Sequence, residues 1–256
     1  MNSASDAVYA VTGGARGFGF SITRVLLDKG ASVGIIAKNE DSIENALEEL
    51  NADSVFGVTA DVSDPLAIQE ALAVISDHFG AFDGLICNAG LARPSPIAML
   101  DSCDVRLQVE TNLLGTIFSC QAAIPLLSRS SNPRLITISS ASAFHPDEMS
   151  HLSVYAATKA AVERFTRDLR EELQGDGIGV SCIRPGGAVT GFADQWDPDA
   201  FSDAFDAWRD YGEYMDTGMT VTEVANAVWY CLNQPVGTAI DLLEIRPNQR
   251  VSKSVF

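Results

Sequence analysis

Seven short runs of apolar and β-branched residues recur along the chain: AVYAV from Ala7, ASVGIIA from Ala31, SVFGVTA from Ser54, FDGLIC from Phe82, RLITISS from Arg134, IGVSCIR from Ile178 and AIDLLEI from Ala239. The runs are strand-length and the segments between them are long enough for helices, so the pattern reads β-α-β-α. Crossovers of that length join parallel strands and lay helices on both faces of the sheet. The predicted fold is a doubly wound α/β sheet of about seven strands, one domain over residues 1–256 with no interdomain linker. One segment breaks the rhythm. Gly191 to Gly218 intervenes between the sixth strand pattern and the helical pattern VTEVANAVWYCLNQ, and long excursions of this kind are where lids and binding loops sit.

Composition narrows the possibilities. The chain has 256 residues, 46% of them hydrophobic, enough to bury a large core. No run of 18 or more apolar residues occurs, and the opening MNSASDA has neither a basic region nor an apolar signal core, so a soluble, cytoplasmic protein is expected. The 34 acidic residues outnumber 17 basic ones for a net charge of −17, which argues against nucleic acid or anionic membrane partners. Cys87, Cys103, Cys120, Cys182 and Cys231 are odd in number and widely spaced, which suits a reducing compartment better than disulfides or zinc.

The first strand pattern runs into TGGARGFG, Thr12 to Gly19, and then into the helical FSITRVLLDKG. Gly13 can turn the chain, Gly17 can let backbone approach a pyrophosphate and Gly19 can let the helix pack closely, so this junction is a candidate dinucleotide cradle that also includes Arg16 and Phe18. Glycine-rich turns also occur purely as turns, and the loop alone does not settle the matter. A second constellation lies in SVYAATKAAVERF. Tyr155 and Lys159 are four residues apart on one helical face, which brings an ammonium to a phenol; the cation should lower the phenol's pKa and make it a usable acid or base. An isolated pair of this spacing is more often two surface neighbours.

Together with ADV at Ala60 to Val62, NAG at Asn88 to Gly90, Asn112 in TNLLG, ISS ahead of Tyr155, and RPGGAVT at Arg184 to Thr190, these motifs make the chain resemble the classical short-chain dehydrogenase/reductase family from about Val8 to Pro247. The resemblance implies a Rossmann-type fold and an NAD(P)-dependent oxidoreductase. Tyr155 would be the general acid or base, Lys159 would lower its pKa and hold the nicotinamide ribose, and Asn112 would help hold a water linked to Lys159. A serine of the ISS stretch would bond the substrate oxygen; strand register selects Ser140, whereas family spacing to Tyr155 selects Ser142, and Ser140 is preferred because the strand fixes it in space. Asp61 and Val62 would flank the adenine, Asn88, Ala89 and Gly90 would form the cofactor floor, and Pro185, Gly186, Val189 and Thr190 would meet the nicotinamide end. Ala37 followed by Lys38 stands where an NAD-binding acid is expected, and with Arg16 this favours NADP(H) over NAD(H). The family also implies a homotetramer or homodimer. His145 and His151 are read as ordinary loop histidines, with no metal expected.

Within Gly191 to Gly218, Phe201, Phe205 and Trp208 fall at helical spacing with Met215 a further heptad on. Eight acids between Asp194 and Asp216, Glu213 among them, face the single base Arg209. An aromatic face on a lid suits a neutral, hydrophobic or aromatic ketone or secondary alcohol. A 3-ketoacyl thioester reductase and a non-catalytic dinucleotide-binding protein are the alternatives.

Overall fold

The computed structural model describes residues 7–145, 150–194, 196–210 and 214–253. The opening residues read for a signal, Glu213 of the acidic run, and part of the 191–218 segment lie outside them.

The first half alternates strand and helix as β1 (Val8–Thr12), α1 (Gly17–Asp28), β2 (Ser32–Ala37), α2 (Glu40–Leu50), β3 (Val55–Thr59), α3 (Pro65–Phe79) and β4 (Gly84–Cys87). It continues through α4 (Ser102–Val109), α5 (Gly115–Leu127), β5 (Arg134–Ile138), α6 (Ser153–Leu173) and β6 (Gly179–Pro185). The chain then departs into α7 (Pro198–Asp210) and β7 (Tyr214–Asp216) before α8 (Val221–Leu232), β8 (Leu242–Ile245) and β9 (Arg250–Ser252). Seven strands form one parallel sheet in the order β3-β2-β1-β4-β5-β6-β8, as the periodicity predicts.

The sheet is buried on both faces, which is why its strands read as continuous apolar runs rather than alternating ones. Successive side chains still point to opposite sides. Tyr9, Val11, Val33, Ile35, Ile86, Ile136 and Ile183 pack with α1, α2 and α8 in one core. Ala10, Ile36, Leu85, Leu135 and Val180 pack with α3, α5 and α6 in the other. Ile22 and Leu26 of α1 and Val224 and Val228 of α8 are essentially inaccessible to solvent, and each side chain so buried stabilises the fold by roughly 1.5–3 kcal/mol.

Strand order reverses beside β1, whose neighbours β2 and β4 lead the chain away in opposite directions. A crevice therefore opens beyond the carboxyl ends of β1 and β4, the usual ligand position in such sheets. Helix α7 forms where aromatic spacing predicts a helix, capped by Asp197 accepting from the Asp199 and Ala200 amides. It stops at Asp210, so Met215 does not extend its face. Met215 lies in β7, which pairs antiparallel with β9, and Asp216 ties the ribbon to Arg246 at 2.7 Å. The long-range pairing with the C-terminal segment overrides the local heptad spacing. Among the described residues no helix is long and apolar enough to cross a membrane.

Candidate active site

The glycine loop opens the crevice at the end of β1. Gly13 and Gly17 have φ of +64° and +55°, values that side-chain-bearing residues rarely adopt. Gly19 packs so closely that a Cβ there would lie 2.1 Å from the Gly13 carbonyl oxygen. At Gly17 a Cβ would meet only Thr190, at 4.0 Å, so the loop backbone is open on the side facing the segment after β6. The N-cap of α1 is exposed Arg16, with no side-chain hydrogen bond to the helix amides and no acid in the first turn. Four of the other α-helices, α2, α3, α4 and α7, are capped by Asn39, Asp64, Asp101 and Asp197. Uncapped amides at a helix N-terminus suit a phosphate, so the residues present fit a dinucleotide.

The adjoining motifs are locked to this loop. Thr12 Oγ1 accepts from the Asn88 and Ala89 amides, and Asn88 Nδ2 donates to the Thr12 and Gly13 carbonyls at 3.0 and 3.2 Å. Val62 is buried. Asp61 pairs with Lys38 at 2.7 Å; burial works against its charge, but hydrogen bonds from Lys38 and Ser63 outweigh that effect and hold its carboxyl below the usual range. Beyond β6, Gly187 and Val189 are bonded to Met219. Pro185 is buried at the strand end, a Cβ at Gly186 would press on Arg246, and Thr190 Oγ1 accepts from the Phe192 amide.

At the ends of β5 and α6 the structure brings Ser140, Tyr155 and Lys159 together. Ser140 lies beside Tyr155, and its hydroxyl receives the Ser142 hydroxyl at 3.0 Å and the Ser142 amide at 3.3 Å. Of the two serines weighed from the sequence, Ser140 is the one that bears on the Tyr155 phenol, and Ser142 is bonded to Ser140. Lys159 Nζ lies 5.9 Å from the Tyr155 ring centroid and donates to the Ile138 carbonyl at 2.8 Å. Asn112 sits in a π-helical turn, Glu110–Leu114, between α4 and α5. Its side chain exchanges hydrogen bonds with both Leu91 backbone groups and donates to Thr158. A Cβ at Gly90 would fall 3.2 Å from Lys159 Nζ and 3.3 Å from Asn112 Oδ1, so only glycine fits comfortably between them.

One electrostatic expectation is corrected. Burial pushes the Tyr155 phenol up to about 12, with the Ser140 hydrogen bond opposing it, instead of Lys159 bringing it down. Burial likewise pushes Lys159 down to about 8. Desolvation favours the neutral form of each group, and it is the largest influence on both.

Behind the site runs an ionic chain that sequence spacing does not reveal. Arg184 is clamped by Glu163 and Glu244, Ser139 Oγ donates to Glu163, and His145 meets Glu244 at 2.7 Å. His145 thus anchors its loop. His151, with φ of +67°, accepts from the Ser95 amide through its carbonyl.

In front of the site lies a chain of rings. Phe192 is 5.7 Å from the Tyr155 ring and 5.8 Å from Trp196; Trp196 in turn meets Phe201 at 5.5 Å and Trp208 at 6.3 Å. The predicted face of Phe201, Phe205 and Trp208 exists, but Phe192 and Trp196, which reach toward Tyr155, escape a search for helical spacing because they precede the helix. Their position just after Thr190 is the signal that could have found them.

The sheet order, the glycine loop at its reversal point and the clustered polar side chains define an oxidoreductase of a nucleotide-binding α/β class. Residues 7–200 match the short chain dehydrogenase family, and the chain belongs to it. An uncharacterized oxidoreductase of Staphylococcus aureus is 30% identical over 247 residues, 96% of this chain and all of that one. A closed form of serine dehydrogenase complexed with NADP+ is 28% identical with a TM-score of 0.82, covering 94% of each chain. The fold is shared at a TM-score of 0.83 with a 3-ketoacyl-(acyl-carrier-protein) reductase from Brucella melitensis, 21% identical over 96% of this chain and 99% of that one.

Proposed function

We propose that the protein is an NADP(H)-dependent reductase of neutral, hydrophobic or aromatic ketones, able to run in reverse on the corresponding secondary alcohols. The single observation carrying this reading is the convergence of Ser140, Tyr155 and Lys159 beside an uncapped glycine-rich helix start, under a roof of aromatic rings. Gly13, Arg16, Gly17, Phe18 and Gly19 would hold the pyrophosphate end, Asp61 and Val62 the adenine, Asn88, Ala89 and Gly90 the floor, and Pro185, Gly186, Val189 and Thr190 the nicotinamide end. Ala37 places no carboxylate at the end of β2. Exposed Lys38, which also serves Asp61, and exposed Arg16 would meet a 2′-phosphate. The NADP+ complex of serine dehydrogenase is in keeping with this choice.

When bound, the nicotinamide supplies a hydride to the carbonyl carbon. This chain's residues handle the oxygen and the proton. Ser140 and Tyr155 hydroxyls bond the carbonyl oxygen, and Tyr155 gives its proton to that oxygen as negative charge develops. A phenol at about 12 is protonated at neutral pH, which is the state reduction requires. Lys159, at about 8, can then return a proton to the phenolate, with Asn112 fixing Leu91 and Thr158 around it. A homodimer or homotetramer is proposed on family grounds, as is a cytoplasmic location.

The test is NADPH oxidation with an aryl ketone. Tyr155→Phe should keep NADPH affinity within about twofold and cut kcat by at least a hundredfold, because only the transferable proton is lost. Ser140→Ala should cost more kcat than Ser142→Ala. Substantial turnover by Tyr155→Phe would refute the assignment, and wild-type preference for NADH would refute the cofactor choice.

A further inference from the structure

Trp196 holds a feature that ring packing does not account for. Its indole Nε1 is sealed from solvent and has no hydrogen-bond partner, one of only two such buried side-chain atoms among the described residues. The other, Arg134 Nε, belongs to a guanidinium whose remaining nitrogens bond four carbonyl groups around β5, so that group is already held. Trp196 has no such compensation. Its ring is bordered by Phe192, Phe201 and Trp208 at 5.5–6.3 Å, and aromatic faces are weak acceptors at best. Trp208, by contrast, satisfies its own indole N–H on the Ser150 carbonyl at 2.6 Å. A buried donor without a partner is costly, and in native proteins it calls for a ligand or a function.

Its position supplies one. Trp196 is a single ring away from Tyr155 through Phe192, on the short stretch between Thr190 and α7. We propose that Trp196 is a specificity-determining residue whose indole N–H, covered by Phe192, Phe201 and Trp208, takes a hydrogen-bond acceptor on the substrate's distal end when the substrate parts these rings. The preferred substrates are then aryl or alkyl ketones carrying a second, uncharged oxygen, an ether or hydroxyl, remote from the reacting carbonyl. This deepens the ketone reading and rests on it. Phe192 and Phe201 embrace the apolar body between the two polar ends. The acidic residues around α7 exclude a carboxylate as that second group: Asp199, Asp203, Asp206 and Asp210 are exposed there, and Arg209 is already paired with Asp206.

The experiment compares benzylacetone with its ring-methoxylated counterpart, anisylacetone. Affinity of each ketone for the protein saturated with NADP+ is measured by calorimetry, where no turnover occurs, and kcat and KM are measured with NADPH. The wild type should bind anisylacetone about tenfold more tightly, with the gain in KM and not in kcat. Trp196→Phe, which keeps an aromatic ring and loses the N–H, should erase the difference by weakening anisylacetone alone. Trp196→His, which restores a ring donor, should recover part of it, and thermal melting confirms that both variants fold. Equal affinity of the wild type for the two ketones, or a preference that survives in Trp196→Phe, overturns the assignment while leaving the ketone reading intact. Failure to bind or reduce either ketone overturns that reading and the assignment with it.

Discussion

Lys159 shows what the site costs the fold. It is 4% exposed, no carboxylate among the described residues pairs with it, and its ammonium donates to the Ile138 carbonyl, so burial pushes it down to about 8 from an ordinary 10.5. Below pH 8 both folded and unfolded chains carry the proton, and the folded chain bears the full desolvation penalty. Between about 8 and 10.5 the unfolded lysine holds a proton that the folded one has shed, so stability rises with pH through that window as the penalty is relieved. The penalty is on the order of 3 kcal/mol. Lys159→Met should therefore be more stable relative to wild type at pH 7 than at pH 10, while losing activity, a trade expected at a site selected for chemistry. Chemical denaturation of both proteins across that range gives the answer. A stability difference that stays flat with pH would mean that Lys159 is not desolvated in the folded protein.

The elements around the crevice differ in how they are held. Strands β1 to β6 are fixed by sheet pairing and two cores, whereas α7 is fixed from outside: Trp208 bonds Ser150, buried Lys253 donates to the Trp208 carbonyl at 2.5 Å, and Asp216 binds Arg246 beside the β7–β9 pairing. The C-terminal segment straps the aromatic roof down. Asp216→Asn weakens the strap where its carboxylate is only 12% exposed. It should raise KM for an aryl ketone several-fold with little change in kcat, and speed amide exchange in α7 without altering exchange in β1 or β4. Unchanged exchange in α7 would show that the strap does not hold the roof. The seven strands and the glycine junction are legible in sequence because each is a local pattern: a buried apolar run, or a positive φ that demands glycine. The Tyr155–Lys159 pair is legible for the same reason, being one helical turn. Met215 in a strand, the Glu163–Arg184–Glu244 chain and the Phe192–Trp196 bridge are not, because their partners lie far along the chain or precede the periodic segment. Desolvation of Tyr155 escapes sequence as well, since spacing reports a neighbour's charge but not the depth at which both groups are buried.

At the scale of the whole molecule the net charge of −17 bears on which substrates would reach the proposed site. Exposed Asp199, Asp203, Asp206 and Asp210 line the roof helix, and its one base, Arg209, is neutralised by Asp206 at 2.7 Å. A substrate attached to an acidic carrier protein must bring a second negative surface to this rim. A free neutral ketone meets no such field. Like-charge juxtaposition slows encounter, and the effect decays over a Debye length of about 8 Å at physiological ionic strength. A 3-ketoacyl group presented on acyl carrier protein should therefore show kcat/KM at least tenfold below the same group on a small neutral thiol. Raising the salt to about 1 M, where the Debye length is about 3 Å, should close most of that gap by raising the carrier-bound value. The salt series separates charge from size, because a carrier excluded by shape would remain poor at every ionic strength. A clear preference for the carrier-bound substrate at low salt would overturn both the electrostatic argument and the choice of free ketones, and would favour the thioester as substrate.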